Sequence, residues 1–440
     1  MMKRWFVCLL IWSWGAALQA ESYIILFKNT RTALTSKDAH KQQMENKKQS
    51  NADRIEKLFL ALGVSKTQIA YQDLWLVAGM EMKLKPEDLP QIQKLNFVDR
   101  VLPNKTRKYI APTIRNAPIV SDPTWGLRRL SLPQIRTDFP EADGTGVRVG
   151  VIDTGIQSRH PEFEKKNKVV FRDFVNGIPY AYDDNGHGTH VSGSIAGAST
   201  GVAPKVDIYM AKAFGATGSA SDAWLLNAMQ WLYDPDNDPT TDDFPHIINN
   251  SWGLDIPFDI NDLEEFESFH RAILAWVDSD IIPVFAAGNS GTAPNGMPSG
   301  FAEVLAISAI DANSAVADFS SRGPNYWKLG KSVQTLFKPD FAAPGVDIFS
   351  AWPGNGYEYL SGTSMATPHA TGSIALILHK TGRISNADLK TILLYSMEAK
   401  FDFNYGSGII NPLAALQQLS IPALRFSSEG KPISLPVLTP

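Results

Sequence analysis

The stretch Val147-Arg148-Val149-Gly150-Val151-Ile152-Asp153 is an almost unbroken apolar run closed by an acid. Working outward from it, the same kind of run returns at 206–211, 247–249, 281–286 and 304–310, and helical patterns separate the runs at 187–198, 222–232 and 263–277. Two further helical stretches follow at 364–379 and 386–397. Continuous apolar strands alternating with helices indicate an α/β fold with a mostly parallel central sheet covered by helices on both faces.

Upstream the pattern differs. Lys3 and Arg4 precede an apolar stretch from Trp5 to Ala17, and Leu18-Gln19-Ala20 offers a cleavage site. Residues 1–20 therefore read as a secretory signal peptide. The single cysteine, Cys8, lies inside it, so the rest of the chain has no disulfide and must hold together through its core and any bound ions. Residues 22–102 read as a small α+β unit. A strand at 23–27 is followed by Ile55, Leu58, Phe59 and Leu62 at helical spacing, a short strand at 69–71, a strand at 74–82, a short helix after Pro86 and a last strand at 98–102. That order, βαββαβ, is the split βαβ or ferredoxin-like pattern. The stretch 103–123 is basic and then Pro-rich and reads as a linker. The expected divisions are a signal at 1–20, an N-terminal domain at 21–110, a main domain at 111–416 and a tail at 417–440. Residues 21–110 carry sixteen Lys and Arg against ten Asp and Glu, a net +6 in a chain of net −4, and residues 111–440 carry −12. Such opposite charges suit two pieces that attract each other.

Asp153, His187 and Ser364 occur in that order. A serine hydroxyl is a weak nucleophile at neutral pH and needs an imidazole to take its proton. The imidazole needs a carboxylate to fix its tautomer. Asp153 is placed at the carboxyl end of a buried strand, and His187 and Ser364 each open a helix, so one edge of the sheet would gather all three. A helix start brings free N–H groups to Ser364, and Asn289, just after the run 281–288, supplies a side-chain amide for a developing oxyanion. The residue two after Ser364 is Ala366, which excludes a GxSxG elbow. His190 is expected to be structural, since the carboxylate context of a zinc HExxH site is missing, and His369, five residues past Ser364, is expected to pack in its helix.

The segments VGVIDTGI (149–156), NGHGTHVSG (185–193), NNSWG (249–253), AAGNSG (286–291), FSSRGP (319–324), GTSMATPHATG (362–372) and YGSGIINP (405–412) resemble those of the subtilisin-like serine proteases, the subtilases, and the long Asp-rich connection before NNSWG is similar to their bacillopeptidase F-like branch. Acid, base, serine is also the subtilisin order. The resemblance implies an endopeptidase with Ser364 as nucleophile, His187 as general base and then acid, Asp153 as its orienting partner, and Asn289 with the Ser364 N–H as the oxyanion hole. It implies that Ser251, Trp252 and Gly253 bind an extended substrate as an added strand, and that Ala286, Ala287 and Gly288 form the opposite wall of the main specificity pocket. Met297-Pro298 is similar to a family position where the proline is cis. Residues 21–110 resemble the inhibitor-type propeptide. Two departures stand out. The loop Ala198-Ser199-Thr200-Gly201 is too short for the family's calcium loop. The wall Ser290–Asn295 holds no acid and gives no support for selectivity toward Lys or Arg there.

The expected function is a secreted, self-processed endopeptidase, outside the cell or in a periplasm. A maturase of narrow specificity and a non-catalytic binding protein on the same scaffold are the alternatives, and the second is disfavoured because all four catalytic candidates are present. No cofactor is required and no metal site is predicted. A calcium site in the acidic loop 234–243 is weighed and set aside, because Pro235 and Pro239 fit the EF-hand pattern poorly. The expected partners are polypeptide substrates and the chain's own propeptide. Nucleic acid, a membrane after signal removal, and other copies of the chain are not expected partners.

Overall fold

The computed structural model describes residues 20–29, 37–108, 112, 122, 124–163, 168–253, 264–329 and 332–421. The expected signal sequence up to residue 19, most of the linker and the tail beyond 421 lie outside the described residues.

Among the described residues, nine strands form the main sheet, in the order Glu398–Asp402, Gly406–Ile409, Phe341–Pro344, Leu305–Ile310, Ile282–Ala286, Ile247–Asn250, Arg148–Asp153, Asp207–Lys212 and Val169–Asp173. Neighbours are parallel except for the terminal hairpin Glu398–Asp402 and Gly406–Ile409. From Arg148–Asp153 the chain builds first to one side, then crosses back and builds to the other through Ile247–Asn250. At such a reversal the connections leaving the strand ends diverge and open a crevice at the carboxyl edge. Asp153 stands at that point.

The apolar run of the central strand serves both faces, as its composition predicts. Val149 and Val151 join Val191 and Ile195 of helix His187–Ala196 and Met365 and Ile374 of helix Thr363–Thr381. Ile152 points the other way, into a cluster with Leu225 and Leu232 of helix Asp222–Tyr233 and Ile273 and Trp276 of helix Glu267–Asp278.

The N-terminal unit is a four-stranded antiparallel sheet in the order Tyr71–Leu74, Gly79–Leu84, Glu21–Phe27 and Val98–Pro103. Helix Lys37–Leu62 begins well before Ile55, and its Ile55, Leu58 and Phe59 pack with Ile25, Phe27, Met80 and Met82 on one face of that sheet. The opposite face, through Ile24, Leu26 and Leu74, belongs to the same apolar cluster as the body helices Asp222–Tyr233 and Glu267–Asp278. The expected strand 74–82 is broken. Trp75–Val77 is a 3-10 turn, and Ala78 follows it in the left-handed region at φ 52°. These three side chains are buried against the body, where Trp75 meets Tyr233 edge-on at 5.9 Å. Gln230 fixes the turn, accepting from the Leu76 N–H at 2.9 Å and donating to the Asp73 carbonyl at 3.0 Å.

Beyond Val98–Pro103, Thr106–Lys108 pairs antiparallel with Ser219–Ser221, a three-residue strand too short and too polar to show as a pattern. Two more expectations are corrected. The helix expected to reach 198 ends at Ala196, where the Gly197 N–H bonds the Gly193 carbonyl at 2.8 Å. Helix Pro412–Leu419 carries the body past the boundary expected at 416.

Candidate active site

Asp153 and His187 meet because the first turn of helix His187–Ala196 lies against the strand end. The Asp153 carboxylate accepts from the Thr154 N–H at 2.7 Å and from His187 Nδ1 at 2.8 Å, with both side chains about 2% exposed. That bond keeps the imidazole proton on Nδ1 and makes Nε2 the basic nitrogen. The close approach depends on Gly188, where a Cβ would lie 2.2 Å from the Gly155 carbonyl oxygen. Asp183 holds the helix start by accepting from the N–H groups of Gly186 and Thr189, each at 2.9 Å, and from the Thr189 hydroxyl at 2.7 Å. The Thr154 hydroxyl links the pieces, accepting from the Gly188 N–H at 2.8 Å and donating to Asp183 at 2.9 Å. Sequence reading missed Asp183 and Thr154. An acid just ahead of a helix start is the signal that could have found Asp183.

Ser364 lies in the first turn of helix Thr363–Thr381 and is tied to the end of strand Ile247–Asn250. Its hydroxyl donates to the Ser251 carbonyl at 3.0 Å, and the Ser251 hydroxyl returns a bond to the Ser364 carbonyl at 2.9 Å. Behind them, Asn249 donates to the Ser251 hydroxyl at 2.9 Å and accepts from Thr371 at 3.0 Å. The Asn289 side-chain oxygen accepts from both the N–H and the hydroxyl of Thr363, at 3.0 and 2.9 Å. With its oxygen so held, the amide turns its nitrogen toward Gly362, where a Cβ would come within 3.3 Å of it. Glycine keeps that space open. A carboxylate, an imidazole, a hydroxyl at a helix N-terminus and an oriented amide are the parts that acyl transfer requires.

Residues 144–408 match the subtilase family. The chain is 31% identical to M-protease of Shouchella clausii (strain KSM-K16) over 76% of its own length and 78% of that protein. It is 33% identical to Subtilisin Savinase of Lederbergia lenta over 66% of its length and 97% of that protein. It is also 30% identical to Bacillopeptidase F of Bacillus subtilis (strain 168) over 88% of its length, but over only 28% of that longer protein. The chain belongs to the subtilase family. It is a subtilisin-like serine endopeptidase, and its substrates are polypeptides.

In this subtilase the residues expected to line the cleft are placed around Ser364, but not all of them face it. Trp252 is 4% exposed and packs with Phe214, Phe269 and Phe285, so its indole supports the cleft from below. Gly253 and Lys108 line one small cavity, which brings the N-terminal unit's last strand alongside the segment 251–253. Ala286 and Ala287 are buried, and Ala287 exchanges bonds with its neighbours, donating to Ile307 at 3.1 Å and accepting from Gly296 at 3.2 Å. The Gly288 N–H donates to the Thr363 hydroxyl at 3.2 Å. The peptide bond Met297-Pro298 is cis.

His190 and His369 are both buried and bonded to backbone. His190 Nε2 lies 3.0 Å from the Ile348 carbonyl, and His369 Nδ1 lies 2.8 Å from the Met365 carbonyl. Burial, helped by the charge of His187, lowers the His190 pKa to about 3, and burial lowers that of His369 to about 4. The short loop at 198–201 is held by Glu162, which accepts from the Ser199 N–H at 2.7 Å and hydroxyl at 2.5 Å and from Tyr357 at 2.9 Å. In the acidic loop, Asp234, Asp236 and Asp243 offer oxygens within 4.8 Å of one another. The Lys48 ammonium of the N-terminal unit donates to one of them, Asp234, at 2.5 Å, and to Asn237 at 2.9 Å.

Proposed function

We propose that this endopeptidase works through Ser364, His187, Asp153 and Asn289, and that it is made as an exported precursor which releases itself from residues 21–110. The observation that carries the reading is the buried 2.8 Å contact between Asp153 and His187 Nδ1 beside the Ser364 helix. Ser364 Oγ attacks the scissile carbonyl as its proton passes to His187 Nε2. The oxyanion takes bonds from Asn289 Nδ2–H and the Ser364 N–H. The C–N bond then breaks as His187 returns the proton to the leaving amine. Water deprotonated by the same nitrogen hydrolyses the acyl-enzyme. The substrate lies extended between the segments 251–253 and 219–221, with its main side chain against Ala286-Ala287-Gly288. Export rests on the N-terminal sequence, and among the described residues no helix is long and apolar enough to cross a membrane. The test is Ser364→Ala in the purified precursor. Loss of both peptide hydrolysis and release of the N-terminal unit is expected, and release by the variant without added protease would refute self-processing.

A further inference from the structure

The strand Thr106–Lys108 enters the cleft with Arg107 opposite Ala220 and runs antiparallel to Ser219–Ser221. Arg107 is pulled down into the body. Its Nε and Nη2 donate to the two Asp222 oxygens at 2.7 and 2.9 Å, and its Nη1 lies 2.7 Å from Glu265. The guanidinium carbon sits 5.2 Å from the centre of the Phe266 ring. The arginine and Asp222 side chains are 8% and 5% exposed. Two acids and an aromatic face, all from the body, thus enclose one planar cation. This is the bidentate and stacked geometry that a guanidinium fits and an ammonium does not.

The route of the chain gives this contact a meaning beyond docking. Arg107 and Lys108 line a cavity together with Trp252 and Gly253. At Pro112 the chain is at the reacting centre, since a Cβ built on Gly362 would lie 3.6 Å from Pro112 Cα and 3.3 Å from Asn289 Nδ2. Five positions separate Arg107 in the acidic pocket from Pro112 beside the oxyanion donors, so Arg107 lies on the acyl side of a bond cut next to Pro112. A substrate following this route presents a side chain to the same pocket.

We propose that Asp222, Glu265 and Phe266 form an arginine subsite of the mature enzyme, which selects peptides carrying arginine at the fourth to sixth position before the bond cut. The proposal rests on the reading of this cleft as the peptide-hydrolysing site. It differs from the main pocket, whose wall at 290–295 has no acid. Once the N-terminal unit leaves, the two carboxylates face a cleft without Arg107, and a substrate arginine restores the pair.

The test compares peptides that differ only by arginine or its uncharged isostere citrulline at the fourth, fifth or sixth position before the cut. Mature enzyme is expected to favour arginine in kcat/KM by about tenfold or more at one of these positions, the scale of a desolvated charge-assisted pair. Glu265→Gln should shrink that ratio, and Asp222→Asn with Glu265→Gln should bring it near one. The ratio within one enzyme does not depend on how much of a variant folds, and the wild-type ratio alone decides if the double variant fails to fold. Equal cleavage of both peptides at all three positions, or a preference untouched by Glu265→Gln and by the double variant, would overturn the subsite. If neither peptide of any pair nor a longer unfolded protein is cut, the hydrolytic reading itself fails and the subsite falls with it.

Discussion

At Asn289 the two ends of one amide have separate tasks. The oxygen is held by Thr363, and that restraint aims the nitrogen at the place where the proposed reaction would form an oxyanion. Asn289→Ala is therefore expected to lower kcat by about 100- to 1,000-fold with little change in KM, a magnitude taken over from the equivalent donor of subtilisin, a relative of this chain. Steady-state kinetics decide it, since a loss mainly in KM would make Asn289 a substrate holder. The buried histidines make a second prediction at this scale. Burial keeps His190 and His369 neutral in the fold. Burial, followed by the charges of Arg383 and Arg148, does the same for His246, at about 3. The unfolded chain takes up protons on all three below about pH 6.5. Their contribution is thus complete above that value and is lost as pH falls toward 4, by up to about 1.4 kcal/mol per imidazole per pH unit. Denaturant unfolding of the Ser364→Ala precursor from pH 7 to 5 should show stability falling steeply, with a smaller slope in His369→Gln. A flat profile would mean that the three groups are not held neutral.

Elements differ in how openly the sequence announces them. The strand Arg148–Asp153 was legible because apolar residues on both faces leave a continuous run, and a run of that kind before an acid also located Asp153. His187, Ser364 and Asn289 were legible through their flanking glycines and their places at element ends. The turn Trp75–Val77 was not, because apolarity reports burial without naming the partner, and here the partner is a helix of the body rather than the sheet. Ser219–Ser221 is three small residues with no periodicity, and its role appears only when Thr106–Lys108 lies beside it. Arg107 and Asp222 stand 115 residues apart, and nothing in either segment signals the pairing. The acidic loop invites a metal reading at the level of the sequence, yet its carboxylates are engaged locally. Asp236 accepts from the Asp238 N–H at 2.8 Å and the Thr241 hydroxyl at 3.0 Å, and Asp238 accepts from the Thr240 N–H at 2.9 Å. Chelation of the precursor with EDTA is accordingly expected to leave its melting temperature unchanged. A large drop that calcium reverses and Asp236→Ala abolishes would establish a site.

For the whole molecule the question is what the N-terminal unit does to the body it covers. Four of its side chains, Lys48, Arg100, Lys105 and Arg107, form ion pairs with Asp234, Glu264, Glu265 and Asp222 of the body, and Arg271 of the body answers Asp99. Most of these follow the +6 against −12 asymmetry, and the one reversed pair shows that local geometry also counts. The contact has an apolar part as well, because Trp75, Leu76 and Val77 share a cluster with the two body helices. A mostly parallel sheet closes many distant contacts and folds slowly, so a preformed face that binds both helices should help the body reach its fold. Residues 21–110 added in trans are therefore expected to speed refolding of the denatured body and to inhibit the mature enzyme, with Thr106–Lys108 occupying the cleft. Salt separates the two parts of the contact. Glu264 is 82% exposed, so its pair with Arg100 should fade as ionic strength rises, while the buried Arg107 pair is screened far less. Inhibition should weaken several-fold from low to high salt without vanishing, because the apolar cluster remains. Arg107→Ala should weaken it at either salt. Inhibition constants for both forms at both ionic strengths decide the matter. Indifference to salt would remove the charge argument and keep the inhibitor. No inhibition at micromolar concentration would leave residues 21–110 as a cover without control over the enzyme.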